Sequence, residues 1–302
     1  MSIFGILAAF GGGVFAAAIG GLPAFIMTGV FAVLGAGLGI AGLDAGGVIA
    51  GNIAFGPFFG PHIAFAGGVA AMAYAKKKGL SENGADIAYA MAGYNDPSVL
   101  AVGGLFGVIG YVFKALVVDT LFAGGISSKL VTDGPGFTVF CSAIVARLVF
   151  GGKLRTGDKV MSEGAALTTC IFISVCYSLL VGALYVVLQQ AAAGNEALSA
   201  GLAGNYAVLI FGTAAIGLIF AEFGQPFYGC HHIVIIAAEA AVFGYAAGGA
   251  GMAVIAAVIA GTVSGLICDI EGALINSGTD SHIDGPATAI LIMTFVLNAI
   301  FG

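Results

Sequence analysis

Charged residues are scarce in this sequence. Only 8% of its 302 residues are Asp, Glu, Lys or Arg, whereas 60% are hydrophobic. A soluble domain carries about a quarter charged residues, so a surface this poor in charge is not a water-facing one. The longest polar stretches, roughly residues 76–98 and 152–164, are too short for a folded soluble domain. We therefore expect one integral-membrane unit whose solvent is the lipid bilayer.

Other absences exclude whole classes of function. The 9 basic residues form no patch of the kind that binds nucleic acid, and the 5 cysteines form no CxxC metal pair. No HExxH helix, GxSxG turn, Walker loop or dinucleotide fingerprint stands out. The sequence therefore predicts neither an enzyme nor a resident cofactor. An intramembrane metalloenzyme built from His and carboxylates, and a purely structural protein, remain as minor alternatives.

Glycine, by contrast, is abundant, with 51 residues, while Trp is absent. Small residues allow helices to approach closely in a bilayer, and GxxxG spacings such as Gly103–Gly107 and Gly261–Gly265 fit that use. Such faces serve internal packing or contacts within a homo-oligomer. Without Trp, any interfacial aromatic belt must come from Tyr and Phe.

Hydropathy predicts about ten membrane spans. The N-terminal run lacks the basic region of a secretory signal, so it is expected to be the first span. The expected spans are 3–20, 23–42, 62–75, 98–122, 135–151, 165–192, 203–222, 232–248, 250–268 and 286–301. Several are short for a 30 Å hydrocarbon core, which is typical of discontinuous helices. Residues 44–56 and 85–94 are apolar but shorter still, and either could be re-entrant.

One hexapeptide occurs twice and interrupts the apolar runs. Its copies are PFFGPH at residues 57–62 and PFYGCH at residues 226–231, each preceded by a Phe-Gly pair. Pro and Gly break helices, and a helix broken inside a membrane exposes backbone groups that need partners. The two breaks are therefore the first candidates for a functional site.

Further matches in the same order predict an internal duplication. The motif Asp-Gly-Pro at 133–135 recurs at 284–286, and each copy opens a final apolar helix that ends in Phe-Gly. Val118-Asp119 also matches Cys268-Asp269. We therefore divide the chain into a first five-helix repeat at 1–152, a cytoplasmic linker at 153–164 and a second five-helix repeat at 165–302.

An odd number of spans in each repeat makes the second copy enter the membrane from the opposite side. The predicted fold class is thus an all-α polytopic membrane protein with a 5+5 inverted repeat and broken or re-entrant helices. Lysines at 76–78 and basic residues at 153–159 then fall on one side, with Lys129 on the other. By the positive-inside rule this predicts a multi-pass cell-membrane protein with both termini outside.

If the two breaks meet near the midplane, their side chains frame a shared solute site. The helix beginning at each motif histidine would point its positive end at that meeting place. The predicted substrate-binding residues are Phe58, Phe59, His62, Phe227, Tyr228 and His231. The alternative is a pair of tight interhelical turns at the membrane surface.

Three residues present only in the second repeat are candidates for coupling. His232 and Glu239 lie seven residues apart, hence on one helix face, and a buried carboxylate beside a histidine can share a proton. Glu222 precedes the second break and could line the same region. A satisfied core pair and a helix end in interfacial water are the structural alternatives for these groups.

The repeated aspartates Asp133 and Asp284 each precede Gly-Pro at a helix start. They are expected to be helix caps or gating residues for a cation. Asp284 also ends an acidic stretch, 269–284, that is either a solvated loop or a cation-attracting one. Lys114 and Arg147 lie near span ends, where long side chains are expected to reach the interface, and five residues separate Lys114 from Asp119, a poor helical pairing.

Together these features predict a secondary transporter for a small solute or ion, with or without proton or cation coupling. Its site would lie between the two PF(F/Y)GxH breaks. A passive channel for a small neutral or weakly charged solute is the alternative, with the motif aromatics as apolar constrictions. A 5+5 inverted repeat is shared by unrelated transporters and channels, so it predicts a class and leaves the substrate open.

Overall fold

A computed structural model describes residues 1–122 and 131–302, and the predicted Lys129 loop lies outside these residues. In the part that it describes, the chain is built of helices and contains no β-strand. The helices are α1 (Ile3–Ile19), α2 (Gly21–Ile40), α3 (Ala45–Ile49), α4 (Ala64–Lys77), α5 (Pro97–Phe113), α6 (Asp119–Leu121), α7 (Gly134–Phe150), α8 (Ala165–Ala191), α9 (Glu196–Gly217), α10 (Ile219–Glu222), α11 (His231–Ile275) and α12 (Gly285–Phe301).

Five helical stretches in the described ranges are long and apolar enough to cross a membrane by length and composition. They are Gly21–Ile40, Pro97–Leu121, Ala165–Ala191, Glu196–Glu222 and His231–Ile275. Large apolar side chains, among them Phe4, Leu180 and Ile259, are more than half exposed on the outer surface, where lipid would cover them. This architecture is compatible with a multi-pass membrane protein.

Each of the ten apolar segments expected from hydropathy contains a helix, with three differences. The seventh helix begins at Glu196 because Asn195 caps it, accepting a hydrogen bond from Leu198 N at 3.0 Å. The third begins at Ala64, two residues after His62. The eighth and ninth join in α11, which bends at Gly248 and Gly249, where a φ of +72° at Gly249 suits a residue without a side chain.

The two short apolar stretches take different structures. Residues 44–56 form the short helix α3 and a π-helical turn, Ala50–Ala54, packed against α2. Residues 85–94 contain only a 3₁₀ turn, Met91–Tyr94. The acidic stretch 269–284 is also only partly a loop, because α11 continues to Ile275 and carries Asp269 and Glu271.

Small residues let the helices approach backbone to backbone. In the first half, an added Cβ at Gly103 of α5 would lie 2.7 Å from the carbonyl oxygen of Gly13 in α1. In the second half, Ser178 of α8 packs directly on Gly261 of α11. Thus α1 packs on α5, and α8 packs on α11, which is the use expected for GxxxG spacings.

The C-terminal ends of α4, α7 and α11 meet at one end of the molecule, which we call the lysine end. Lys77 at the end of α4 donates to Val149 O of α7 at 2.8 Å, and Lys76 lies 3.8 Å from Asp280. The backbone of Thr156 in the linker donates to Leu274 O of α11 at 3.0 Å. The basic segments 76–78 and 153–159 therefore approach the same set of helix ends.

Candidate functional site

The first break, Pro57–His62, is a turn whose backbone is hydrogen-bonded by protein. Gly60 N donates to Gly56 O at 3.0 Å, and Phe59 N donates to Ile53 O at 3.0 Å. The Phe59 carbonyl accepts from Thr28 Oγ1 of α2 at 2.6 Å. Helix α2 therefore supplies a hydrogen-bond donor to the Phe59 carbonyl, a backbone group that the interruption of the helix leaves without a helical partner.

The second break, Pro226–His231, is an irregular segment that ends where α11 begins. No side chain caps α11 at Cys230, and the Cys230 carbonyl accepts from Ile233 N at 3.0 Å. His231 occupies the first position of the helix and is 6% exposed. Its ring packs 4.9 Å from Phe25 of α2 and 6.1 Å from Phe211 of α9, measured between centroids.

His231 lines a small cavity of about 40 Å³, which we call the His231 cavity. Its other lining residues are Phe25, Phe55, Pro61, Phe65, Asp133, Pro135, Gly136, Val139, Phe211, Ile235, Asp284, Ala287 and Ile290. A water molecule takes up about 30 Å³ of the liquid, so this space admits one or two water-sized species. Both breaks and both Asp-Gly-Pro motifs contribute to it.

Asp133 and Asp284 cap the helices that start at this cavity. The Asp284 Oδ2 atom accepts from Ala287 N at 2.8 Å, and Asp133 Oδ1 accepts from Gly136 N. Proline follows in the first turn of each helix, where its missing N–H needs no partner. Capping is thus the local role of both aspartates, and their carboxylates also line the cavity.

Four helices begin around the His231 cavity and leave it in two directions. Helices α4 and α7 run to the lysine end, where Lys77 meets Val149. Helix α12 and the first part of α11 run away from it, and Phe301 of α12 stacks on Phe243 of α11 at 5.8 Å. Each helix start carries about half a positive charge, so the four ends together roughly match the two capping carboxylates.

A cleft of about 200 Å³, the His282 cleft, adjoins the cavity on the side of the lysine end. It shares the side chains of Phe25, Phe65, His231 and Asp284 with the cavity. His282 lines it and places Nε2 3.1 Å from Asp284 Oδ1. Asp284 is therefore in contact with a second histidine on the cleft side.

A wider cleft of about 450 Å³, the His62 cleft, lies toward the opposite end of the molecule. It is lined by Ser2, Phe4, Gly5, Ala8, Gly51, Asn52, Phe55, Gly56, Pro57, His62, Tyr111, Lys114, Ala115 and Asp119. Phe55 belongs to both this cleft and the His231 cavity. Lys114 Nζ also lies close to the start of α7, because a Cβ added at Gly134 would be 3.6 Å from this nitrogen.

Lys114 and Asp119 form an ion pair, which corrects the expectation that residues five apart pair poorly. Nζ of Lys114 donates to both carboxylate oxygens of Asp119, at 2.8 and 2.9 Å. The reason is a π-helical turn, Lys114–Val118, whose wider winding brings side chains at i and i+5 together. The lysine therefore faces the cleft instead of reaching the interface.

The four motif aromatics lie outside the lining of the His231 cavity. Phe58 and Phe59 stack on each other at 3.9 Å and pack edge-on against Phe15 of α1. Phe227 packs on Phe220, and Tyr228 packs into the cluster formed by α8, α9 and α11. The aromatic residues that do line the cavity, Phe25, Phe55, Phe65 and Phe211, are mostly inside uninterrupted apolar runs.

His62 is 2% exposed and lines the His62 cleft, so the two motif histidines are brought to adjoining spaces and not to a single one. Nδ1 of His62 and Nδ1 of His231 have no hydrogen-bond partner in the described part of the chain. Buried polar atoms without partners are rare and call for an explanation. An exchangeable proton, water or solute at these positions supplies one.

The three coupling candidates occupy separate places. Glu239 accepts a hydrogen bond from Thr294 Oγ1 of α12 at 2.9 Å, and not from His232 as the sequence suggested. His232 is 2% exposed, and within the described ranges neither ring nitrogen has a partner. Glu222 ends α10, is half-buried and is not among the residues that line the cavity.

Arg147 corrects another expectation, because it is fully buried instead of reaching the interface. Its guanidinium donates to Ile275 O at 2.6 Å, Ser281 Oγ at 2.7 Å and Asn276 Oδ1 at 3.1 Å, as well as to Leu154 O. Arg147 therefore fastens the end of α7 to the end of α11 and to the loop that leads into Asp284. In the sequence, the burial of Arg147 is indicated by its position as a single basic residue inside an apolar run.

A metal centre finds no support in the described residues, where no group of three His, Cys, Asp or Glu side chains is placed to hold an ion.

The comparisons with known proteins give a family but no activity. The chain belongs to a family described as a family of unknown function (DUF7973), whose model matches residues 1–162 and 186–301. No curated protein and no solved structure matches the chain.

Proposed function

We propose that this member of the DUF7973 family is a secondary transporter that moves a small solute or ion across the membrane. The observation that carries the proposal is the His231 cavity, which shares lining residues with two clefts, one on the side of the lysine end and one on the opposite side. Side chains of residues 1–152 and 165–302 line it together. A site enclosed between the two halves and adjoined by a cleft on each side is the arrangement that alternating access requires.

Helix pairing supports a 5+5 inverted repeat as the framework. Helix α2 packs on α9, and α7 packs on α12, so corresponding helices of the two halves pair with each other. Helices α4 and α7 leave the cavity toward the lysine end, whereas the first part of α11 and α12 leave it in the opposite direction. Two halves related by a pseudo-twofold axis in the membrane plane would have this pattern.

The lysine end is the cytoplasmic end in this proposal. Lysines 76–78 and the basic residues of the linker lie there, and the positive-inside rule assigns such an end to the cytoplasm. Helix α1 begins, and α12 finishes, toward the other end. Both termini are then outside the cell membrane.

A substrate-independent experiment tests the proposal through solvent access to the cavity. Ile290, which is 6% exposed and lines the cavity, is replaced by Cys in a background from which the native cysteines have been removed. Small charged thiol reagents are then added to right-side-out and to inside-out vesicles. We expect the Ile290→Cys variant to be modified from both sides, because each conformation opens one cleft to the cavity.

Two control positions show how a buried and an exposed cysteine react under the same conditions. Val99, fully buried and outside the cavity lining, should stay unmodified as a Val99→Cys variant. Ser277, exposed at the lysine end, should be modified in one vesicle orientation only as Ser277→Cys. If the Ile290→Cys variant is unreactive from both sides while Ser277→Cys reacts, the cavity is not on a transport path.

A passive channel remains the second candidate, and the four phenylalanines around the cavity would be its apolar constriction. The same variant separates the two. Solutes that protect the Ile290→Cys thiol from modification identify candidate substrates for flux measurements in proteoliposomes. A transporter accumulates such a solute against its gradient, whereas a channel allows only downhill flux.

A further inference from the structure

We propose that a proton crosses the His231 cavity between Asp284 and Asp133, with the His231 imidazole as the intermediate carrier. This inference rests on the proposed transport function and specifies an ion that crosses the site. It follows from the size and lining of the cavity and from the polar groups that lead out of it on each side.

The cavity is unsuited to a divalent metal cation. Divalent cations in proteins take about six or more oxygen ligands. At the His231 cavity, the side-chain oxygens come from Asp133 and Asp284, and the rest of the lining is aromatic and aliphatic. Ala287 N and Gly136 N already occupy one oxygen of each carboxylate. A space of about 40 Å³ also leaves no room for the hydration shell that could complete such a site.

The cavity is suited to a proton, because His231 presents a ring nitrogen without a partner. The side chain is 6% exposed, and Nδ1 makes no hydrogen bond in the described ranges. A neutral imidazole can accept a proton on one nitrogen, and the imidazolium can release it to another base. Aromatic rings hold the imidazole in place on two sides, with Phe25 4.9 Å and Phe211 6.1 Å away.

The charges around the cavity are compatible with both the neutral and the protonated form of His231. Four helix N-termini contribute about half a positive charge each, and two ionised carboxylates oppose them. A neutral His231 therefore leaves the site close to electroneutral. Protonating the imidazole adds one charge that lies beside two carboxylates, which stabilise it.

On the lysine-end side, Asp284 connects the cavity to the His282 cleft. The Asp284 Oδ1 atom lies 3.1 Å from His282 Nε2, and His282 lines that cleft. Glu271, Cys268 and His232, all on α11, are also within electrostatic reach of Asp284, and the His232 ring lies 5.8 Å from that of His231. The carboxyl group can thus exchange a proton with His282 on one side and with His231 on the other.

On the opposite side, Asp133 connects the cavity to the His62 cleft. Lys114, at the end of α5, is within electrostatic reach of Asp133, and its ammonium binds Asp119 at 2.8 Å inside that cleft. Glu239 of α11 is the second carboxylate within reach of Asp133. Loss of a proton from Asp133 therefore leaves a carboxylate that Lys114 stabilises.

The transfer balances without any co-reactant. A protonated Asp284 gives its proton to a His231 nitrogen and becomes a carboxylate, and the imidazolium gives a proton to the Asp133 carboxylate. Reprotonation of Asp284 from His282 and release from Asp133 into the His62 cleft restore the starting state. One proton has then moved between the clefts, and the direction reverses with the gradient.

Proton flux into proteoliposomes that contain a trapped pH-sensitive dye tests the relay. A potassium diffusion potential set by valinomycin drives the flux. We expect wild-type protein to acidify or alkalinise the lumen as the potential dictates, and Asp284→Asn and Asp133→Asn to lower the rate about tenfold or more. Asparagine caps helices as well as aspartate does, so these variants keep the first turn and lose only the ionisable group.

The matched controls are Glu163→Gln, which removes a carboxylate from an exposed pair with Lys159, and Asp284→Glu, which restores an ionisable group. Both should retain more flux than Asp284→Asn. Wild-type flux equal to that of protein-free liposomes, or full flux in either asparagine variant, overturns the relay. Radioactive sodium uptake that requires Asp284 overturns it in favour of a metal cation.

Failure of the relay and failure of the transport proposal give different results. If the Ile290→Cys thiol reacts from both sides but protons do not move, the transport path stands and the proton relay is wrong. If that thiol is unreactive from both sides, the path itself is absent.

Discussion

Gly29 of α2 and Gly212 of α9 pack against each other reciprocally. An added Cβ at Gly29 would lie 2.8 Å from Gly212 O, and one at Gly212 would lie 2.7 Å from Gly29 O. Each glycine thus contacts the backbone of the other, as two residues related by a twofold axis would. The contact joins the two halves next to Phe25 and Phe211, which line the His231 cavity.

Gly29→Leu and Gly212→Leu should therefore separate the halves. The backbone atoms that a leucine would meet cannot rotate away, so we expect a loss of about 1–3 kcal/mol or a shift of the helices. Thermal unfolding in detergent measures the change. Gly37→Leu is the control on the same helix, because no atom lies within 4 Å of an added Cβ there. Equal melting temperatures for Gly29→Leu and Gly37→Leu would contradict this packing.

Removing the caps at the cavity should weaken the starts of α7 and α12. Asp133→Ala and Asp284→Ala each lose the acceptor for a first-turn N–H, which typically costs about 1 kcal/mol. The matching asparagine variants keep an acceptor and should melt close to wild type. Unfolding temperatures of the four variants therefore separate the capping role from any role of the charge. A melting temperature of Asp284→Asn as low as that of Asp284→Ala would show that the charge, and not the cap, stabilises α12.

Arg147→Met should be among the most destabilising single substitutions. It removes the guanidinium donors to the hydroxyl and carbonyl oxygens of Ser281. It also removes one of the two donors to Ile275 O and one of the two donors to Asn276 Oδ1. Buried acceptors without partners cost about 1–3 kcal/mol each. Arg155→Met is the control, since Arg155 is exposed and makes one long contact, at 3.4 Å to Gly157 O. Similar unfolding temperatures for the two variants would rule out the fastening role.

Outside the membrane-spanning helices, Lys78 and Asp96 link α4 to α5, and their contribution should depend on pH. The Lys78 ammonium and the Ser98 hydroxyl lower the pKa of Asp96 from 3.8 to about 2. Because the folded pKa is the lower one, the pair stabilises the fold above pH 3.8 and loses this effect as the pH falls toward 2.

Lys78 is exposed and Asp96 is half-buried at the surface, so the effect should be small and should decline with salt. We expect Asp96→Asn, which keeps the cap on Ser98, to lower the melting temperature slightly at neutral pH and low salt. At molar salt the difference should disappear. The exposed pair Lys159–Glu163 offers Glu163→Gln as a comparison with no interhelical link. A larger effect of Asp96→Asn at high salt than at low salt would contradict an electrostatic origin.

The sequence located some parts of the candidate site and not others, for physical reasons. Apolar runs and the Asp-Gly-Pro motif predicted helix positions and the caps, because these depend on local composition. The cavity lining was not predictable in the same way, since Phe25 and Phe211 lie inside uninterrupted apolar runs. Only the packing of α2 on α9 brings their rings to His231.

Two polar residues show the limits of spacing arguments. Lys114 pairs with Asp119 because the helix widens to a π turn, a local change of winding that no spacing rule for an α-helix includes. Arg147 is buried because the loop 276–281 folds back over it and supplies carbonyl acceptors. Both contacts depend on backbone conformation that residue type alone does not determine.

Glu239 remains the residue whose sequence-based role is most open to experiment. It lies in α11, receives a hydrogen bond from Thr294 and is within electrostatic reach of Asp133, but it does not line the His231 cavity. Glu239→Gln keeps an acceptor for Thr294 and removes the carboxylate. If the proton passes through Asp133, this substitution should change the pH dependence of flux while leaving more flux than Asp133→Asn.

Proteoliposome flux measured across a pH series distinguishes the two roles. Thr294→Val is the matched control, because it removes the hydrogen bond and keeps the carboxylate, so it should leave the pH profile in place. A complete loss of flux in Glu239→Gln with Asp133→Asn unaffected would make Glu239 itself the carrier. Such a result would restore the original expectation that a carboxylate present only in the second half drives transport, and it would move the proton path from α7 to the interface between α11 and α12.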